Sequence, residues 1–230
     1  MTNYDQDQKV LVAVDCIIFG FDQNQEELQL LLIKRDFEPE RGSWSLMGGF
    51  MQKNENIRDA AARVLTKLTG LTDVYMEQLK AFGKVDRDPV ERTVSVAFCA
   101  LINVEDHDQE MIKRYSARWF GISEIPQLIF DHDIMVETAI RRLRYRASVQ
   151  PIGFELLPKK FTMRQLQKLY EEIFSEKLDK RNFTKKINSL DILKKLDEKD
   201  KQSSRKGSFL YKFDKNKYLN NKANGMYFKV

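Results

Sequence analysis

"GGFMQKNENIRDAAARVLTKLTGL", residues 48–71, decides how the rest of the chain is read. Two adjacent glycines let the backbone approach a partner or ligand closely, and a short polar loop follows them. From Glu55 onward the apolar residues Ile57, Ala60, Ala61, Val64, Leu65 and Leu68 recur at helical spacing, and Gly70 supplies the stop. A glycine pair, a loop and a helix with several acids on one face would hold divalent metal against a pyrophosphate, because carboxylates one turn apart converge on the ion. This helix has the frame without the acids.

The segment resembles the Nudix box, G-x5-E-x7-R-E-U-x-E-E-x-G-U with U aliphatic. Gly49, Glu55, Arg63, Leu65, Gly70 and Leu71 fall on its positions without a gap. Val64, Lys67 and Leu68 stand where the three metal-binding glutamates belong. An ammonium in place of a carboxylate turns attraction for a cation into repulsion of about 4 kcal/mol per unit pair at about 4 Å in an effective dielectric near 20. Glu55 and Asp59 do not make up that loss. The expectation is a Nudix-like domain without hydrolytic activity, with no catalytic residue, metal or cofactor assigned.

Around this segment the first 130 residues alternate strand and helix patterns. Aliphatic runs at 9–22 and 27–36, separated by "QNQE", read as a hairpin or adjacent strands; the loop 37–50 follows; further strands are expected at 76–86, 93–104 and 116–125. A helix is expected from Ile134 to Arg146. The fold class is α/β: a Nudix-like α/β/α sandwich with a mixed sheet over residues 1–150, followed by a second domain over 151–230. Cys16 and Cys99 sit in apolar runs and read as buried free thiols. No apolar run reaches the roughly 18 residues a membrane span requires, and the N-terminus shows no basic region followed by an apolar one. A cytoplasmic protein with no membrane partner is expected.

Charge divides the chain. Residues 1–149 carry 19 Lys+Arg against 24 Asp+Glu, and residues 150–230 carry 20 against 10, a net −5 beside a net +10. A lysine-rich third on an acidic body is the footprint of a nucleic-acid-binding module. In "PKKFTMRQLQKLYEEIF", Thr162 and Gln165 form a capping box, and Leu166, Leu169, Tyr170, Ile173 and Phe174 make one apolar face. After "SEKL", Asp179 caps a second helix with Phe183, Ile187 and Leu190 inward. Lys180, Arg181, Asn182, Thr184, Lys185 and Asn188 are left outward. Two helices of this kind are a helix-turn-helix, whose second member enters the major groove. A charged, flexible stretch at 194–206 with a basic tip and the strand Phe209, Tyr211, Phe213 reads as a wing. Ser203, Ser204, Arg205, Lys206, Gly207 and Ser208 are placed at its phosphate-facing end.

This third, with "LPKKFTMRQLQKLYEEIF", "LDKRNFTKKI" and "LYKF", resembles the winged helix of the NrtR-like Nudix-related regulators, and "GSWSLMGGF" with "DPVERTVSVAF" extends the likeness over nearly the whole chain. Met47 departs from the family, which has proline before the glycine pair. The resemblance implies a homodimeric repressor that binds operator DNA and is released by a metabolite. Some members sense ADP-ribose or related nucleotides, and one branch answers to L-arabinose. With its missing acids and acidic first domain, this chain looks closer to the arabinose branch, and the expectation is a pentose-responsive regulator of carbohydrate metabolism, the alternatives being an ADP-ribose- or NAD-responsive regulator and a Nudix-type pyrophosphohydrolase. The segments that resemble the Nudix cleft offer Arg35, Trp44, Gly48, Gly49, Asp86, Glu91 and Arg92 as ligand contacts, an aromatic face beside planar hydrogen-bonding groups.

Overall fold

The computed structural model describes residues 8–72, 74–106, 114–201 and 207–223, with the side chains of Leu68, Lys222 and Ala223 left aside. The first region is built on a seven-stranded sheet in the order β3-β2-β1-β6-β5, with β4 paired to β1 and β7 to β2. Its strands are β1 (Leu11–Asp22), β2 (Glu27–Lys34), β3 (Trp44–Ser45), β4 (Met47–Phe50), β5 (Tyr75–Phe82), β6 (Thr93–Asn103) and β7 (Ala117–Gly121). Residues 13–21 of β1 are buried without alternation, so both of its faces are covered, as a layered α/β fold requires. Helix α1 (Ile57–Thr69) turns Ala60, Ala61, Val64 and Leu65 inward, and Gly70 ends it in the left-handed conformation at φ 73°. Helix α2 (His132–Val149) completes this part of the chain.

The second region holds β8 (Phe161–Thr162), α3 (Met163–Phe174), α4 (Lys180–Ser189), β9 (Leu193–Asp200), β10 (Ser208–Phe213) and α5 (Lys215–Ala223). The capping box at Thr162 and Gln165 is present, and Asp179 accepts from the Asn182 amide to start α4. Leu166, Leu169, Tyr170, Ile173, Phe183, Ile187 and Leu190 form the buried core. A three-stranded sheet in the order β8-β10-β9 closes it. This is a winged helix, so the expected α/β class with an appended winged helix-turn-helix holds.

Several boundaries differ from the sequence reading. The expected loop 37–50 contains β3 and β4, because Asp15 and Gly48 pair across β1 and β4. The flexible stretch expected at 194–206 is a strand as far as Asp200, held in register by β10; residues 202–206 lie outside the described residues. Helix α5 was not anticipated. By internal contacts, one compact unit comprises Met1–Ile18, Leu30–Ala100 and Asp106–Ala139; the other comprises Phe19–Gln29, Leu101–Glu105 and Ile140–Val230. The hairpin end 19–29 and the second half of α2 thus fall in the unit that contains the winged helix, where the sequence suggested a single cut at 150. Both cysteines are free and buried, and no described helix is long and apolar enough to cross a membrane.

Candidate functional site

Asp15 stands in the middle of β1 and is buried, its side chain 9% exposed. A carboxylate this deep requires partners, and three segments far apart in sequence supply them. Ser95 Oγ of β6 donates to Asp15 Oδ2 at 2.5 Å. The Arg87 guanidinium lies 3.9 Å from Oδ2, and His132 Nε2 at the start of α2 lies 3.8 Å from Oδ1. Arg87 also makes a two-point pair with Asp131, at 3.1 and 2.8 Å. His132 Nδ1 accepts from the Leu46 amide at 3.1 Å, which places any single ring proton on Nε2, toward Asp15. Burial lowers the affinity of His132 for a second proton, against the opposing pull of Asp15.

This cluster forms the floor of a cavity of about 170 Å³. Gly48 and Gly49 line it, and both are required by close approach: a Cβ on Gly48 would lie 2.3 Å from Asp15 Oδ1, and one on Gly49 2.9 Å from Val64 Cγ2. The mouth is aromatic and cationic. The Arg35 guanidinium sits 3.8 Å from the Phe37 ring centroid and 5.7 Å from that of Phe130, while its Nε donates to the Phe37 and Pro39 carbonyls. Burial lowers its proton affinity and the nearby Asp88 and Asp15 raise it. Phe130 is held at φ 51°, a left-handed conformation that costs a bulky residue about 1–3 kcal/mol and is commonest at functional sites.

Of the sequence-based ligand residues, Arg35, Gly48 and Gly49 border this cavity. Trp44 does not; it packs edge-on against Phe120 at 4.8 Å and faces a different hollow with Ser43 and Pro126. Asp86, Glu91 and Arg92 are exposed and line no part of the cavity: Asp86 pairs with Lys84 at 3.1 Å, and Arg92 donates to the carbonyls of Gly83, Lys84 and Thr93. Their neighbours Arg87, Asp88 and Thr93 line it instead. The sequence reading singled out the segment that holds Arg87, Asp88 and Thr93 but not those residues, and it did not single out Asp15, Phe130 or His132.

On α1 the Nudix-box positions have become structural. Arg63 clamps Glu55 with hydrogen bonds of 2.9 and 2.7 Å, and that clamp holds the Glu55 carboxyl at about 2, well below its usual range. Val64 is 2% exposed beneath Gly49, and Lys67 is exposed. Among the described residues no group of three His, Cys, Asp or Glu side chains could hold a metal ion.

On the winged helix, Lys180, Arg181, Asn182, Lys185 and Asn188 are exposed along α4 and Thr184 is half-buried. None of the three cations forms an ion pair with the described residues. Ser208 opens β10 opposite Asp200, whereas Ser203, Ser204, Arg205 and Lys206 lie outside the described residues. The sequence reading missed a cation-aromatic stack on the wing: Lys195 and Lys199 lie 3.6 and 4.6 Å from the ring centroid of the exposed Phe209.

Comparison with known proteins agrees with both halves. Residues 9–143 match the NUDIX domain and residues 153–213 the NrtR DNA-binding winged helix domain. The chain is 31% identical over 207 residues, 88% of its length and 82% of the relative's, to the ADPR responsive transcriptional repressor NtrR of Acinetobacter baylyi. Its structure resembles that of Shewanella oneidensis NrtR complexed with a 27mer DNA, with a TM-score of 0.80, 25% identity and coverage of 90% of this chain and 95% of that one. The NUDIX domain of the same Shewanella protein, complexed with ADP ribose, matches 62% of this chain and 99% of its own at 28% identity and a TM-score of 0.54.

Proposed function

The chain belongs to the NrtR-like family of NUDIX and winged-helix regulators, and from that premise we propose that it is a transcriptional repressor whose NUDIX domain binds ADP-ribose. The observation that carries the reading is local charge and shape. Arg35 and Arg87 line one cavity from separate segments; Arg87 is already held by Asp131 and Asp15, so Arg35 is the guanidinium at the mouth that would meet a pyrophosphate, and the faces of Phe37 and Phe130 stand beside it to stack a base.

Small-molecule sites usually enclose about 300–1,000 Å³, so a cavity of about 170 Å³ takes one end of a nucleotide while the aromatic mouth takes the other. The same small volume favours the second reading, a free pentose such as L-arabinose. Calorimetric titration of the full chain with ADP-ribose, AMP and L-arabinose separates them. Saturable binding of ADP-ribose with no heat from arabinose is expected; the reverse pattern would establish the pentose reading.

The NUDIX domain acts here as a sensor and not as a hydrolase. The residues at the family's metal positions do not fit a divalent ion: Val64 is in the core, Lys67 is a cation and Leu68 carries no oxygen, while the nearby Glu55 is occupied by Arg63. Incubating the chain with ADP-ribose and Mg2+ is expected to release no AMP above the blank, and metal-dependent turnover would overturn this part. DNA binding runs through α4 and the wing of a homodimer, with half-sites about one helical turn apart.

A further inference from the structure

Among the described residues of the winged helix one carboxylate is buried. Glu171, in the third turn of α3, is 6% exposed, and an apolar residue of similar volume would fill its place at lower cost in desolvation. Its partners explain its presence. Glu171 Oε1 accepts from the Leu178 amide at 3.1 Å and from Gln167 Nε2 at 3.0 Å, and Gln167 Nε2 also donates to the Leu178 carbonyl at 2.9 Å. Two side chains one turn apart on α3 thus hold both the N–H and the C=O of a single residue. Glu171 Oε2 faces the ammoniums of Lys168 and Lys177 at 3.3 and 3.5 Å. Burial pushes the Glu171 carboxyl up, and the Leu178 amide, Gln167 and Lys168 together hold it below its usual range, so at neutral pH it is an ionised acceptor.

Leu178 directly precedes Asp179, whose carboxylate accepts from the Asn182 amide and starts α4. Ser175, Glu176 and Lys177 of the connector are exposed, and the chain turns at Ser175 in the left-handed conformation at φ 56°. Helix α4 rests on the core through Phe183, Ile187 and Leu190, but apolar contact is non-directional and does not by itself set an angle. At the far end of α4, Asn221 Nδ2 of α5 donates to the Leu190 carbonyl at 3.0 Å, and Lys217 pairs with Asp191 at 2.8 Å. The near end is held at Leu178. It is also the end that reads, because a recognition helix contacts base edges with its N-terminal residues, here Lys180, Arg181 and Asn182. Ten residues of helix span about 15 Å, so a tilt of about 10° about the far end moves those residues by about 2.6 Å. Hydrogen bonds form only within a spread of roughly 0.5 Å.

We propose that Glu171 and Gln167 are positioning residues for operator recognition, which act through the Leu178 peptide to fix the N-terminal end of α4 at the angle base reading requires. Directed hydrogen bonds set that angle, and a leucine in either place would fill the space without setting it. Every residue involved lies in the compact unit that contains the winged helix. The inference rests on the DNA-binding reading and not on the identity of the effector.

The test compares full-length wild type, Glu171→Leu, Gln167→Leu and Glu171→Gln on two DNAs: a duplex selected by the wild-type chain from a random-sequence pool, and a scrambled duplex of the same composition. Glu171→Leu should lower the preference for the selected duplex about ten-fold or more, and Gln167→Leu about three-fold or more, the order of one misread base pair. Affinity for the scrambled duplex should change less than about two-fold, with the slope of log affinity against log salt unaltered, because the cations of α4 are all still present. Glu171→Gln removes the same charge but keeps an oxygen for the Leu178 amide, and should retain the preference within about two-fold of wild type. Full preference in both leucine variants overturns the proposal. So does an equal loss on both duplexes, the result that general loosening of the domain would give. A loss in Glu171→Gln as large as in Glu171→Leu overturns it as well, since charge and not the hydrogen bond would then be responsible. If Glu171→Leu does not fold, Gln167→Leu, at a half-buried position, decides alone. A wild-type chain that selects no duplex overturns the DNA-binding reading, and this inference with it.

Discussion

Gly48 is glycine because Asp15 leaves no room for anything else. Its backbone is ordinary strand, so the constraint is contact and not conformation: the Cβ of an alanine would lie 2.3 Å from Asp15 Oδ1, a distance only a shift of the buried carboxylate and its partners can relieve. Gly48→Ala is expected to cost about 1–3 kcal/mol in urea denaturation and to weaken ADP-ribose binding, because Asp15, Arg87 and His132 move together. His132 gives a second measurement. Its folded form resists protonation through burial, so as pH falls the unfolded chain takes up the proton first, near the ordinary value of 6.5. The stability that depends on neutral His132 is therefore full above about pH 6.5 and is lost as pH drops through that value toward the lowered folded one. His132→Gln should flatten this decline between about pH 7.5 and about pH 5.5, which urea titrations at each pH would detect. Little of this site was legible beforehand. The glycine pair and Arg35 stand in recognisable patterns, but Asp15 looks like one polar residue in an apolar strand, and Arg87 like one charge among several in "KVDRDPVERT". Only β1, β6 and α2 lying together give those residues a common purpose.

At the scale of elements, helices were readable and charged strands were not. The periodicity and capping residues of α1, α3 and α4 are local properties, and all three helices form where those properties place them. Strand β9, "LKKLDEKD", has neither alternation nor β-branched residues; it is extended because β10 offers it hydrogen bonds and because Phe209 offers a face to Lys195 and Lys199. Strand β4 was hidden by its glycines. The same logic predicts how α4 works. Lys180, Arg181 and Lys185 are exposed and form no ion pair with the described residues, so their charge is free for phosphate. Lys180→Ala and Lys185→Ala should each weaken binding to specific and random duplex alike and reduce the slope of log affinity against log salt by about 0.9 per lost contact. An unchanged slope in a salt titration would mean that the lysine stays in solvent in the complex. Asn182→Ala should leave the slope intact and reduce discrimination between sequences, since an amide reads base edges and carries no charge.

At the scale of the whole molecule, the proposed repressor raises the question of how a small anion in one domain would oppose a large polyanion on another. Two mechanisms would produce that result. In the first, ADP-ribose adds negative charge to a region that is already net −5 and repels DNA through space. In the second, ligand and operator select different conformations of one chain. Both are reciprocal: if ADP-ribose lowers operator affinity by some factor, operator must lower ADP-ribose affinity by the same factor. They differ in salt dependence. Through-space repulsion is screened beyond about 8 Å at 0.15 M salt and over still shorter distances above it, so the factor would collapse toward one as salt rises. Conformational selection would depend on packed contacts such as the Asp15 and His132 floor, which salt leaves nearly untouched. Operator affinity itself should fall steeply from about 0.15 M to about 0.5 M salt, while the ratio of operator affinities with and without ADP-ribose stays constant within about two-fold, the error of such titrations being far smaller than a ten-fold coupling. Calorimetry of ADP-ribose binding with and without duplex at both salts should return the same ratio from the other side. A ratio that shrinks in step with salt would assign the antagonism to charge, and the cavity floor would then matter for binding the ligand but not for releasing the DNA.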